Sequence, residues 1–368
     1  FRDASAFNQD IRPWNVSNVT DFDNMFTGAT LMNNNFSAPN TPTADFFDST
    51  APTAAITYDS VGPYKNGDTV VITATFNEVM LDSPVPQITI TGSGIANVNA
   101  TNMTKVSTTV YTFSYSVPTG DGTGTITLSQ GTDQANNTIT ATPTSGNTFT
   151  VDNTAPVISQ VTAITTPGND TTPSYVFTTS EAGTITSNLA FVSNSAATSG
   201  ENTVTFSTLA EGTYTGKTIT VTDAAGNVSN TLTIPSFVID TTAPVISPVT
   251  AITTPGNDTT PSYVFSTDKA GTITSSLSFT SSTSATVGNN TITFSTLAEG
   301  SYTGKNIIVT DAAGNVSNHL IIADFVIDTT LPVLTLIGAN PLPAELGNAF
   351  TDPGATSNGG ETCLLYTS

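Results

Sequence analysis

Cationic side chains are scarce in this chain. Seven Lys and Arg stand against 28 Asp and Glu, a formal net charge of −21, although charged residues make up only 10% of the 368. Nucleic-acid binding needs a basic patch that displaces counterions from phosphates, and so few cations cannot build one, which excludes that class. The single cysteine, Cys363, rules out an internal disulfide. The single histidine, His319, leaves no His/Cys metal cluster, and a G-x-S-x-G elbow and a phosphate-binding glycine loop are both missing. No apolar run approaches the roughly 20 residues of a membrane helix, so no membrane segment is expected, and no signal peptide is visible. No constellation of residues asks for catalysis, and the expectation is that the chain is not an enzyme.

What is abundant is Thr, Ser and Asn, with acids scattered among them. The length predicts two to four domains on the usual scale of roughly 100 to 200 residues each. Both ends read as cut: the chain starts at Phe1 inside one repeating pattern and stops inside another. Its last six residues, CLLYTS (363–368), resemble the read-through of a sequencing adaptor and are set aside from functional reasoning.

Internal repeats dominate the rest. DNTAP at Asp152 returns as DTTAP at Asp240 and DTTLP at Asp328, each 88 residues on. The decapeptide VTDAAGNVSN at 221–230 returns unchanged at 309–318, with the same period. An earlier DSTAP at Asp48 opens a longer copy, in which GTDQANN keeps Asp133 and Asn137 at the spacing of Asp223 and Asn227. The predicted domains are 48–151, 152–239 and 240–328, with 329–362 as the truncated start of a further module.

Within each repeat apolar residues alternate with Thr, as in TVTF (203–206) and TITVT (218–222), so one strand face can enter a core. PGN, EAG and AGN punctuate these runs as turns. About seven short strands in roughly 90 to 100 residues predict an immunoglobulin-like sandwich. LAEGTY (209–214) and LAEGSY (297–302) resemble the tyrosine corner of such folds, with Tyr214 and Tyr302 bonding back to upstream backbone. Gly216 and Gly304 stand where antibody domains have a cysteine, so these cores rest on packing alone. The fold class expected is all-β, an elongated array of tandem sandwiches in which each touches only its neighbours.

The first 35 residues differ. FRDASAFN at Phe1 and FTGATLMN at Phe26 align with a period of 25, the spacing of a leucine-rich-repeat solenoid, of which too little is present to close a core; 36–47 reads as a linker. FNQDIRPWNVSNVTDFDNMF (7–26) resembles the BspA-like leucine-rich repeats of bacterial surface proteins, through Trp14, Val16, Val19 and Phe26. Residues 48–328, through their D-x-T-A-P openings and V-T-D-A-A-G-N turns, resemble tandem bacterial Ig-like domains of large adhesins, and 335–359 is similar to another surface Ig-like module. These resemblances imply an extracellular, secreted or surface-anchored bacterial protein. They imply a stalk that holds a binding region away from the cell, with a host, matrix or cell-surface protein or glycan as partner. Two other readings stay open: the Ig-like domains themselves bind glycan or protein, or they accompany a hydrolase domain elsewhere in a longer protein.

The acids of the repeat carry the one candidate site. If VTDAAGNVSN is the turn between the last two strands, it lies at the same end as the domain's first residue and its second-to-third strand loop. That places Asp223 and Asn227 near Asp152, joined by Glu181, and Asp311 and Asn315 near Asp240, joined by Asp268. Asn169 and Asp170 of the preceding repeat are expected to face this joint. Oxygen ligands of this kind suit calcium, which in some adhesin arrays of the resembling family stiffens the joints. The competing reading is that Asp and Asn beside Gly form ordinary turns and bond their own backbone.

Overall fold

The computed structural model describes residues 1–336, apart from 17, 37 and 43, and the strand Ala355–Ser357. The chain is nearly all β. Among the described residues only Thr30–Asn35 is α-helical, and Ala44–Phe47 forms a 3-10 turn. The predicted further module and the adaptor-like tail lie largely outside the described residues, since 337–354 and 358–368 are not among them.

Alternation along the strands decides which face is buried. In Ser262–Thr267 the side chains of Tyr263, Phe265 and Thr267 are buried while their neighbours are not. In the third repeat this strand is the centre of a sheet with Ile246–Thr250 and Gly288–Thr293. A second sheet runs Ser284–Ala285, Gly271–Ser275, Asn306–Thr310, Leu320–Ile321. Every pairing is antiparallel. Ile246, Tyr263, Phe265 and Ile292 of the first sheet share one core with Ile273, Ile307, Val309 and Leu320 of the second. Counting only the seven strands of these two sheets, the first, second and fifth form one and the third, fourth, sixth and seventh the other, an immunoglobulin-like arrangement.

The second repeat forms the same sheets, Ile158–Thr162 with Ser174–Thr179 and Gly200–Thr205, and Ala196–Ala197 with Gly183–Ser187, Lys217–Thr222 and Leu232–Ile234. In the first repeat two four-stranded sheets close over one core that includes Ile72, Ile88, Tyr111, Ile126 and Phe149.

Short ribbons complete the later repeats: Gly212–Tyr214 pairs with Phe237–Ile239 and Gly300–Tyr302 with Phe325–Ile327. Each contains the predicted tyrosine corner. The hydroxyl of Tyr214 donates to the Ala210 carbonyl and that of Tyr302 to the Ala298 carbonyl, both at 2.9 Å. The rings stack on Phe237 and Phe325 at 5.1 and 5.0 Å. Gly216 and Gly304 follow at φ of 61° and 62°, a left-handed turn that glycine takes without steric cost. There the chain leaves the ribbon for the main sheet.

By compactness the chain divides into two units, Phe1–Ala163 with Ser174–Phe206 and Gly216–Pro235, and Ile164–Pro173 with Ser207–Thr215 and Ser236–Ser368. The first repeat lies wholly in the former and the third wholly in the latter.

In the N-terminal segment, residues read as a linker take part in packing. Among its described residues no strand occurs before Ala54. Phe26, Ala29 and Met32 pack with Ala38, Phe46 and Phe47, three residues of the segment read as a linker. Phe26 meets Phe46 edge-on at 5.5 Å, and Phe22 stacks on Phe47 at 5.4 Å. Apolar side chains inside a polar-looking stretch found a partner core that composition alone did not reveal.

Candidate cation sites at the repeat joints

Each repeat opens on an aspartate bonded through its own backbone. The N–H groups of Asp152, Asp240 and Asp328 donate to the carbonyls of Tyr64, Gly168 and Gly256 at 2.8, 3.0 and 2.9 Å. One carboxylate oxygen of each accepts from the backbone N–H two residues on, at Thr154, Thr242 and Thr330. This is the ordinary turn-forming role of Asp, and it uses one oxygen only.

The next residues are held by an acid of the preceding repeat. Glu211 accepts from the hydroxyls of Thr241 and Thr242 at 3.0 and 2.7 Å, and Glu299 does the same for Thr329 and Thr330. In the first repeat Asp121 accepts from the Thr154 hydroxyl at 2.5 Å and from the Asn153 N–H. Hydrogen bonds from Thr242 and then Thr241 hold the Glu211 carboxyl below its usual range. Glu211 and Glu299 lie in the L-A-E-G segments just before the corner tyrosines.

The V-T-D-A-A-G-N-V-S-N turn is built almost entirely from internal bonds. Asp223 Oδ1 accepts from the Asn227 N–H at 2.8 Å and Oδ2 from its side-chain amide at 2.9 Å. The same amide donates to the Asp152 carbonyl at 3.0 Å, which ties the turn to the start of its repeat. Asp311, Asn315 and Asp240 repeat these three bonds at 2.9, 3.0 and 2.8 Å. Asp133, Asn137 and Asp48 do so at 2.8, 2.8 and 2.9 Å. Ser229 and Asn230, which sequence reasoning passed over, also have partners. The Ser229 hydroxyl accepts from Val221 N–H, and Asn230 exchanges two bonds with the Ile158 backbone.

The expected juxtaposition of Asp152, Glu181 and Asp223 is present: one oxygen of each lies within 4.8 Å of the others. Asp48, Glu78 and Asp133 form the same group in the first repeat, where Asp133 is 1% exposed. Burial, then Asp133 and Asp48, push the Glu78 carboxyl up to about 7. Burial, then Asp152, Asp223 and Asp121, raise Glu181. Three converging carboxylates with no nitrogen or sulfur fit a hard cation such as calcium. The carboxylates of Asp152, Glu181 and Asp223, or Asp48, Glu78 and Asp133, would hold it.

The third joint differs. Asp268, expected beside Asp240 and Asp311, instead accepts from the Val245 N–H at 2.7 Å and caps the first strand, as Ser180 does for Val157 at 2.9 Å. The residue 88 positions after Glu181 is Lys269. Its ammonium lies 2.8 Å from Asp240 and 3.5 Å from Asp311. Asp268 belongs to the same loop, but one residue of offset turns its side chain to the strand end.

Asn169 reaches the following joint, where a Cβ added at Gly314 would lie 3.5 Å from its amide nitrogen. Asp170 is occupied locally by the Thr172 N–H at 2.8 Å. Lys65, at the position corresponding to Asn169, donates to the Gly226 carbonyl at 2.6 Å, and Arg12 donates to Ala135 at the same distance. The first repeat also carries a groove of about 620 Å³ lined by Tyr58, Val61, Pro63, Tyr64 and Phe149.

Residues 1–55 match the family described as "Mycoplasma protein of unknown function, DUF285". No curated protein matches the chain. Among solved structures, domains A168–A170 of titin align with 74% of this chain and 99% of that one, at 10% identity and a TM-score of 0.29. A putative membrane anchored protein from Corynebacterium diphtheriae aligns with 74% of this chain and 91% of that one, at 12% identity and a TM-score of 0.17. The sandwich assignment rests on the strand order and shared cores of the chain itself. No helix among the described residues is long and apolar enough to cross a membrane.

Proposed function

We propose that the chain is a non-catalytic segment of an extracellular bacterial surface or secreted protein, a stalk that positions a binding region, with calcium stiffening its acid-lined joints. The observation that carries this reading is the double attachment of the short linkers at Asp152 and Asp240. Thr241 and Thr242 bond back to Glu211, and the Asp240 carbonyl bonds forward to Asn315. A linker fastened on both sides resists bending. Near-identical repeats add length without adding chemistry. Small-angle scattering of the full chain tests this: calcium is expected to narrow the distribution of dimensions relative to chelator, and identical curves in both would oppose the reading. Labelling of intact cells with a membrane-impermeant reagent tests the location.

The groove on the first repeat favours a second reading, direct binding of glycan by that domain. Tyr58 and Val61, which is 98% exposed, offer apolar surface in a groove that Ser60 and Thr148 also line. A glycan screen with wild type and Tyr58→Ala tests it, and binding unaffected by the substitution would place the ligand elsewhere.

A further inference from the structure

Glu181 and Lys269 occupy the same place in the same loop. The Thr179 hydroxyl donates to the Glu181 carbonyl at 2.9 Å, and the Thr267 hydroxyl to the Lys269 carbonyl at 2.7 Å. From there the Lys269 ammonium meets Asp240 Oδ1 and Oδ2 at 2.8 and 2.9 Å, the Thr242 carbonyl at 2.5 Å and Asp311 Oδ2 at 3.5 Å. Asp240 and Asp311 are the counterparts, 88 residues on, of Asp152 and Asp223. In one copy of the joint, therefore, a cation is already held by the carboxylates that stand together in the others. The donors around it, two aspartates and a linker carbonyl, are the oxygen types a hard metal ion selects.

Charge balance points the same way. Two carboxylates and one ammonium leave a single net negative charge, the value that three carboxylates reach with one divalent cation. Lys65 does not supply it at the second joint, because its hydrogen bond goes to the Gly226 carbonyl on the turn. We propose that Lys269 is a tethered cation, so that the joint at Asp240 carries in its own sequence the charge that the joints at Asp48 and Asp152 take from solution as a divalent ion. This rests on the reading of the joints as cation-stiffened. Its consequence is asymmetry: withdrawing divalent ions loosens the first two joints and leaves the third closed.

Hydrogen exchange of the full chain, followed by mass spectrometry in calcium and in chelator, tests this. Peptides extending to Thr231 or His319 distinguish the two identical turns. In wild type, 133–137 and 223–227 are expected to exchange about tenfold more slowly when calcium is about ten times its dissociation constant. Peptides over 311–315 should be indifferent. Lys269→Glu should give 311–315 the calcium response, and Glu181→Lys should abolish that of 223–227. The core peptide over 288–293 reports whether Lys269→Glu folds, and Glu181→Lys tests the same idea in another domain. A third joint still indifferent in folded Lys269→Glu, or a second joint still responsive in Glu181→Lys, would overturn the tethered-cation assignment while leaving the stiffened joint intact. No response at any wild-type joint would overturn both.

Discussion

Asn315 shows how much a single side chain does at a joint. Its amide donates to the Asp240 carbonyl and to Asp311, a carboxylate only 9% exposed. Burial opposes ionisation of Asp311, but the Asn315 donors and the Lys269 ammonium hold its carboxyl below the ordinary range. Asn315→Ala removes both bonds and is expected to cost roughly 1–3 kcal/mol locally, read as faster exchange over 309–318. Glu78 behaves in the opposite sense. Its folded pKa of about 7 lies above the ordinary 4.5, so the fold favours the protonated form. The stability it contributes is complete below about pH 4.5 and is lost as pH rises through about 7. In chelator, Glu78→Gln should flatten the decline of first-repeat stability between those values, measured by denaturant unfolding at several pH values. An unchanged slope would show that the Glu78 carboxyl is not held among the acids.

At this scale the sequence was informative where spacing carried the information. Asp223 and Asn227 lie four residues apart in one turn, and fold topology brings Asp152 to them. Spacing could not locate Glu211, whose partners lie 30 residues on, nor separate Asp268 from Lys269, because adjacent residues in a tight loop point in different directions.

Among the elements, strands were legible because Thr alternates with Val, Ile or Phe, a pattern that only period two can bury on one side. The three-residue ribbons were not, since Gly212–Tyr214 is too short to show a period. The corner tyrosine predicts its own test. Tyr302→Phe keeps the stack on Phe325 but removes the bond to Ala298, and should cost about 1 kcal/mol. Close approach of strands predicts another. A Cβ on Gly271 would lie 2.4 Å from the Thr310 carbonyl oxygen, so Gly271→Ala must spread the pair Gly271–Ser275 and Asn306–Thr310. A loss of roughly 1–3 kcal/mol by thermal or urea unfolding is expected. At the N-terminus, spacing alone did not show that Phe46 and Phe47 pack with Phe26.

Over the whole molecule, repetition was the clearest message of the sequence and became repetition of structure: the same sheets and corner in the second and third repeats, and the same turn bonds in all three. The division into units, which passes through the second repeat, was invisible to it. Repetition is also what makes the joints comparable, because Lys269 stands among aspartates that elsewhere face a third carboxylate.

On the proposed reading, a divalent cation closes the joints of three carboxylates. Local exchange at the Asp223 turn of the full wild-type chain, in calcium and after chelation, tests it most directly. Slower exchange in calcium over 223–227 is predicted, with the core strands unchanged. Equal rates in the two conditions would contradict it.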